Sequence, residues 1–391
     1  MRILFLMKVF EIGGIEVVTS ILAKKFIDEK HEVSIVSLNQ ANNIMLARLD
    51  KRIKFYTLNG FNTGLQNQKD LRYILIKNKI DIIINQWGLP FIPLKLIKKA
   101  SKGLSCKIIS VYHNDPKANA KILDCIIKKE QSKNFVIKKG LELKEKIYTY
   151  ITGLSMKYVY KNSDKFVILS QSFTNNFIDF TKLHDTNKLT VITNPITISS
   201  DNFNFDYQQK RKEIIYVGRI DYNQKRVSRI MNIWKNIYPR FPDWYLKIIG
   251  DGPEKKKLEQ FVKNEQLKNV SFEGFQDPKC YYEEASIILL TSEYEGFGLV
   301  IVEAMSFGVI PIVYGSYKAI YDIIENGEDG YIVEPINKTF PLETMTQKVS
   351  DIIENISKNN QIALNAIKKS KEFSLETIYQ KWYDLFKEIS A

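Results

Sequence analysis

Glu293-Tyr-Glu-Gly-Phe-Gly-Leu-Val-Ile-Val-Glu-Ala-Met-Ser-Phe-Gly308 is the stretch on which the reading of this chain turns. It follows the apolar run Ile287–Leu290, which predicts a buried strand. Gly296 and Gly298 let the backbone come close to a ligand. The helix they open turns free N–H groups toward whatever sits there, which makes an anion site. Glu295 falls in the loop and Glu303 in the helix. Eight residues at about 1.5 Å each span roughly 12 Å. That span suits two carboxylates holding hydroxyls at opposite ends of a nucleotide sugar, with the diphosphate between them. Two carboxylates near a helix N-terminus are also favoured by the helix dipole alone.

Working outward, the same strand-then-helix pattern repeats. In the first half, Ile3–Met7, Val33–Leu38, Asp81–Asn85, Lys107–Tyr112 and Lys165–Leu169 are short apolar runs separated by amphipathic stretches such as Glu16–Lys30. Runs that are apolar on both faces predict strands of a parallel sheet covered by helices. Thr190–Ile192 leads into Asn194-Pro195, and the polar, aperiodic segment Ser199–Lys212 follows. The pattern then restarts with Glu213–Val217, Trp244–Ile249, Ser286–Thr291 and Val309–Val313. The expected fold is α/β: two Rossmann-like domains, residues 1–197 and 198–372, facing across a cleft lined by the carboxyl ends of strands.

The chain has 391 residues, ordinary apolar content and a formal net charge of +13. This excludes global disorder and fibrous classes. Cys106, Cys125 and Cys280 are too few and too scattered for a disulfide framework or a zinc site, so a reducing compartment is the expectation. The apolar start Ile3–Met7 ends at Lys8, too short for a signal sequence, and no run is long enough to span a membrane. A cytoplasmic or peripheral protein is expected.

Glu295 to Glu303, within the longer motif, resembles the E-x7-E signature of the family 4 retaining glycosyltransferases of GT-B fold. Other pieces resemble that family in the same order: Gly13-Gly-Ile-Glu16, Val217-Gly-Arg-Ile220 with Lys225 following, Gly250-Asp-Gly-Pro253 and Gly330-Tyr-Ile-Val333. The resemblance covers nearly the whole chain and is densest from 214 to 335. It implies transfer of a hexose or N-acetylhexosamine from a nucleotide sugar, with UDP the expected nucleotide, to a glycan or lipid-linked acceptor in bacterial surface polysaccharide, glycolipid or glycoprotein glycan synthesis. It implies donor contacts from Gly14, Gly218, Arg219, Lys225, Glu295, Gly296, Phe297, Gly298, Leu299 and Glu303. Arg219 and Lys225 would hold the diphosphate, Glu303 the ribose, and Glu295 the transferred sugar. His113, in Val111-Tyr-His-Asn-Asp115, would lie near the reacting centre. The resemblance also implies retention by front-face attack, and a final helix over 373–391 that crosses back onto the first domain.

Blander readings stand beside these. Arg219 and Lys225 are also explained as surface cations, Gly14 as a strand–helix turn, and His113 as a ring satisfied by nearby backbone. His31 and His184 fall in predicted surface turns and are assigned no role. Two departures from the family pattern matter. Arg226 follows Lys225 where the family often has Gly, which adds either a cation near the phosphate site or a solvated one. Pro195 replaces the Gly that often follows Asn194, which weakens a ligand role for Asn194. No Asp-x-Asp motif occurs, so no metal and no other cofactor is expected.

Residues 117–165 hold twelve lysines against five acidic residues, net +7, interleaved with Ile122, Ile126, Ile127, Phe135 and Tyr150. A basic, apolar-interleaved face fits an anionic membrane surface, and it also fits a plain solvated helix. Nearly all its cations are Lys, which argues against patterned base recognition, and no nucleic-acid partner is expected. The rival functions are a nucleotide-sugar 2-epimerase of the same fold and a non-catalytic partner-binding subunit. The loops 39–50, 60–69 and 117–139 are expected to shape the acceptor site.

Overall fold

A computed structural model describes the chain except for Ile12, Lys338 and Ala391, and for the side chains of Ala120, Gln131, Ile356 and Ser357. The chain divides into two compact units: residues 1–197 together with the segment from Leu375, and residues Ile198–Ser374. The last residue of the expected returning helix, Ala391, lies outside the described residues.

In the first unit the elements run β1 (Arg2–Met7), α1 (Gly14–Asp28), β2 (Glu32–Ser37), α2 (Asn43–Arg48), β3 (Lys54–Thr57), α3 (Leu65–Lys77), β4 (Ile82–Asn85), α4 (Phe91–Ala100), β5 (Lys107–Tyr112), α5 (Ala120–Gln131), α6 (Phe135–Asn162), β6 (Lys165–Ile168), α7 (Thr174–Thr181) and β7 (Leu189–Val191). The strands form one parallel sheet of order β3-β2-β1-β4-β5-β6-β7. Ile3 to Met7 are fully buried, because helices cover both faces of this sheet. Helix α1 packs its Val18, Leu22 and Phe26 inward at helical spacing.

The second unit runs β8 (Arg211–Val217), α8 (Val227–Ile237), β9 (Tyr245–Ile249), α9 (Lys255–Asn264), β10 (Val270–Gly274), α10 (Lys279–Glu284), β11 (Ala285–Leu290), α11 (Leu299–Ser306), β12 (Ile310–Tyr314), α12 (Ile320–Ile323), β13 (Tyr331–Val333), α13 (Leu342–Glu354) and α14 (Ile356–Ser370). Its sheet is also parallel, of order β10-β9-β8-β11-β12-β13. Just past β9, Gly250 has φ +145, and a side chain there would overlap the carbonyl of Gly218. Only glycine allows these two strand-end turns to meet.

The final helix, α15 (Leu375–Ser390), belongs to the first unit and packs on α1. Phe386 meets Phe26 edge-on at 5.4 Å, and Glu376 pairs with Lys25 at 2.6 Å. This corrects the reading of His31, which is no surface turn residue. It is buried among Phe26, Tyr379, Tyr383 and Phe386. The segment 117–139 is likewise no loop, since α5 and the start of α6 occupy most of it.

Candidate functional site

The second unit gathers the sequence-predicted donor residues at the carboxyl ends of the adjacent strands β8 and β11. After β8 the chain turns through Gly218 at φ +148, and the Tyr216 hydroxyl donates to the Arg219 carbonyl at 2.7 Å. That bond pins the turn. The Arg219 side chain is 66% exposed, and its Nε donates to Asp221 at 3.0 Å. Asp221 is buried, and its other oxygen accepts the backbone N–H groups of Gln224 at 2.7 Å and Lys225 at 3.3 Å. One carboxylate therefore organises the whole loop and leaves Arg219 facing solvent.

The same loop sends Lys225 inward. Its Nζ donates to Glu295 Oε1 at 2.6 Å, and the Ser292 hydroxyl donates to the same oxygen at 2.6 Å. The two paired side chains are only 15% and 9% exposed. Charge-assisted bonds of this length are strong and fix geometry. Lys225 is thus no surface cation; it is held ready beside the Glu295 loop.

Past Glu295, Gly298 lies at φ +97 and caps α11. A Cβ at that position would lie 2.6 Å from the Tyr317 hydroxyl, which is buried and has no hydrogen-bond partner among the described residues. The free first-turn N–H groups of α11 begin here. Glu303 sits one turn further on, buried, and accepts from the Tyr282 hydroxyl at 3.3 Å. Burial first, and then the Glu303 charge, hold the Tyr282 phenol well above its ordinary pKa, so it stays a proton donor. Helix α11 starts only at Leu299, so just the second half of the Glu295–Glu303 spacing is helical.

Arg226 is no solvated cation, since its side chain is only 15% exposed. It lies in the left-handed region at φ +51, the conformation that glycine adopts freely, which gives a physical reason for glycine at this place. Its guanidinium stacks on Tyr222 at 4.3 Å and lies 3.5 Å from Glu293. Arg229 clamps the same Glu293 at 2.7 Å and the Thr291 carbonyl at 2.9 Å. The two arginines tie the Lys225 loop to the Glu295 loop.

In the first unit, Gly14 opens α1, and a side chain added there would meet nothing within 4 Å. Nearby, burial pushes the Glu16 carboxyl up to about 7. His113 follows β5. Its Nε2 lies 2.7 Å from the Gln86 side-chain oxygen, and the Gln86 amide donates to the Thr19 hydroxyl at 3.1 Å. The imidazole is therefore set by a side chain and not by backbone. Burial lowers its pKa to about 4, which keeps it neutral. Asp221, Arg229, Tyr317 and Gln86 escaped the sequence reading. Their roles come from neighbours distant in the chain, and only the short Arg219-to-Asp221 spacing carried any local signal.

Both units of the chain match known glycosyltransferase families. Residues 12–200 match the family described as Glycosyltransferase Family 4, and residues 199–369 match Glycosyl transferases group 1. An uncharacterized glycosyltransferase of Haemophilus influenzae is 24% identical, over 97% of each chain. A Campylobacter jejuni enzyme is 24% identical, over 100% of this chain and 99% of its own. It is named as an α-1,4-N-acetyl-D-galactosaminyltransferase acting on a GalNAc-containing, undecaprenol diphosphate-linked glycan. HepE from Anabaena, solved with UDP and glucose, superposes at TM-score 0.74 with 18% identity, over 99% of this chain and all of its own. S. aureus TarM, solved with UDP and a GlcNAc-glycerol, superposes at 0.73 with 15% identity and the same coverage. Two family matches in tandem, the GT-B fold of the solved structures and the strand-end loops described above lead to one conclusion: the chain belongs to the family 4 glycosyltransferases of GT-B fold.

Proposed function

We propose that the protein transfers a hexose or N-acetylhexosamine, with retention, from a UDP sugar to a glycan acceptor carried on a lipid, in the synthesis of a bacterial surface polysaccharide, glycolipid or glycoprotein glycan. The observation that carries this is the buried Lys225–Glu295 pair, which joins the loop that also carries the exposed Arg219 guanidinium to the loop that opens α11. A leaving diphosphate concentrates negative charge, and cations and N–H groups already aimed at it lower the barrier. Arg219 makes bidentate contacts, Lys225 adds a point charge, and the α11 amides complete the cradle. Glu295 meets the sugar and Glu303 the ribose. The reading uses no metal ion, because these groups meet the diphosphate charge. In the first unit His113 is a neutral imidazole at the end of β5. Relatives named for α-linked products on lipid or polyol phosphate carriers support retention and a carrier-bound acceptor. In a UDP-release assay with undecaprenyl diphosphate-linked glycans, Arg219→Ala should lower turnover by about 10²-fold or more. The exposure of Arg219 leaves folding unchanged. Near-normal turnover in this variant refutes the assignment.

The same reading places the protein on an anionic membrane. Among the described residues no helix is long and apolar enough to cross one. Instead, α6 holds Phe135, Val136, Leu143 and Tyr150 out in solvent, each more than 60% exposed. Lys133, Lys138, Lys139, Lys144 and Lys146 neighbour them in the chain, and Lys139 lies 5.8 Å from the Phe135 ring. Apolar side chains flanked by lysine are what docking on anionic lipid requires.

A further inference from the structure

A groove of about 870 Å³ runs between α5, α6 and α7, within the range of small-molecule sites (roughly 300–1,000 Å³). Ile122 and Ile126 of α5, Leu154 of α6 and Phe180 of α7 give it an apolar lining. Gly153 lets α6 approach α7 closely, since a side chain there would lie 2.5 Å from the Phe180 carbonyl. The lysines at its edge are unequal. Lys117 pairs with Asp179 at 3.3 Å and Lys146 with Glu142 at 3.0 Å. Lys157 and Lys182 have no carboxylate partner among the described residues.

Two unpaired ammonium groups beside an apolar groove fit one kind of molecule: an apolar chain that ends in an anion. The groove is also continuous with the docking face. Tyr150 and Leu154 line it and are themselves 69% and 50% exposed. A lipid in a membrane against α6 is therefore the groove's immediate neighbour.

We propose that the groove takes one acyl chain of an anionic membrane phospholipid, with the lipid phosphate between Lys157 and Lys182. The proposal rests on the membrane-docking reading above. Docking then has two parts: a diffuse charge attraction that salt screens, and a single seated lipid that salt disturbs less.

The test uses the full-length protein, cosedimentation with phosphatidylcholine vesicles with and without phosphatidylglycerol, and titration with monomeric dihexanoyl phosphatidylglycerol. Thr149→Trp and, separately, Ile126→Trp fill the groove without changing charge. Lys157→Gln with Lys182→Gln removes the head-group site. Unchanged circular dichroism and unchanged UDP binding confirm that each variant is folded. The wild type should bind the phosphatidylglycerol vesicles and the short-chain lipid. Each tryptophan variant should bind the short-chain lipid at least tenfold more weakly and still adsorb to anionic vesicles at low salt. The double Gln variant should bind vesicles about thirty-fold more weakly, since each lysine near an anionic surface is worth about fivefold. Short-chain lipid that fails to bind the wild type, or binds both tryptophan variants as well as the wild type, overturns the groove and leaves surface docking standing. Absence of any vesicle binding overturns the docking reading and this proposal with it.

Discussion

Lys225 and Glu295 have both lost most of their water, so removing either charge strands the other. The pair is 2.6 Å apart, with side chains 15% and 9% exposed. Breaking one partner of a buried pair costs about 3–5 kcal/mol. The Ser292 hydroxyl still donates to Glu295 when Lys225 is gone, which places the cost near the lower figure, about 3 kcal/mol. In a domain of the size of residues 198–374, each kcal/mol moves the melting temperature by about 2–4 °C. Lys225→Met and Glu295→Gln should therefore each lower the transition of this unit by about 6–12 °C. The double variant strands no charge. It should be no less stable than the worse single variant, giving a coupling of at least about 3 kcal/mol. Calorimetry of the four proteins completes the cycle. Single variants within 1 kcal/mol of wild type, or strict additivity in the double, would refute a pair that is desolvated and mutually dependent.

Other outcomes follow from single contacts. Glu16 has its carboxyl raised from 4.5 to about 7 by burial, so the folded state holds that proton more tightly than the unfolded chain. Its contribution to stability is complete below about pH 4.5 and lost as pH rises to about 7, a loss of roughly 3 kcal/mol at 1.36 kcal/mol per unit. Glu16→Gln should flatten that decline in urea titrations between pH 4.5 and 8, and an unchanged slope would contradict it. At Arg226, with φ +51, Gly should be tolerated better than Ala by about 1 kcal/mol; an Ala variant as stable as the Gly variant would show that the turn carries no such constraint. Tyr317→Phe removes a buried hydroxyl that has no partner among the described residues, so it should melt no lower than wild type, and a loss beyond about 1 kcal/mol would reveal an unseen hydrogen bond.

The central strands were legible because a parallel sheet covered on both faces writes itself as short apolar runs. Ile3–Met7, Lys107–Tyr112 and Ile287–Leu290 are of this kind. The strands that escaped, β3, β10 and β13, are all sheet edges. No residue of Lys54–Thr57 or Val270–Gly274 is fully buried, so they lack the two-faced apolar signal. In the candidate site, the glycines and charged residues of local motifs could be read directly. The partners that set their geometry could not. Ser292 lies near Glu295 in the chain, yet nothing local says that its hydroxyl turns back. Gln86 reaches His113 from 27 residues away, and Arg226 finds Glu293 from 67 residues further on. Burial reversed two readings for the same reason: the rings around His31 come mostly from the last helix, and the Lys225 ammonium is covered by a loop 70 residues later.

The proposed function requires that the loops after β8 and β11, with helix α11, hold a nucleotide sugar through Arg219, Lys225, Glu295 and Glu303. Calorimetric titration of wild type, Arg219→Ala and Glu303→Ala with UDP and UDP sugars tests it directly. A saturating nucleotide sugar at 100 times its Kd should also stabilise the fold by about 2.7 kcal/mol. The wild type should bind, each variant should bind at least tenfold more weakly, and UDP affinity should fall along with that for the sugar nucleotide. Tight binding that survives both substitutions, or no nucleotide-sugar binding by the wild type, would contradict it.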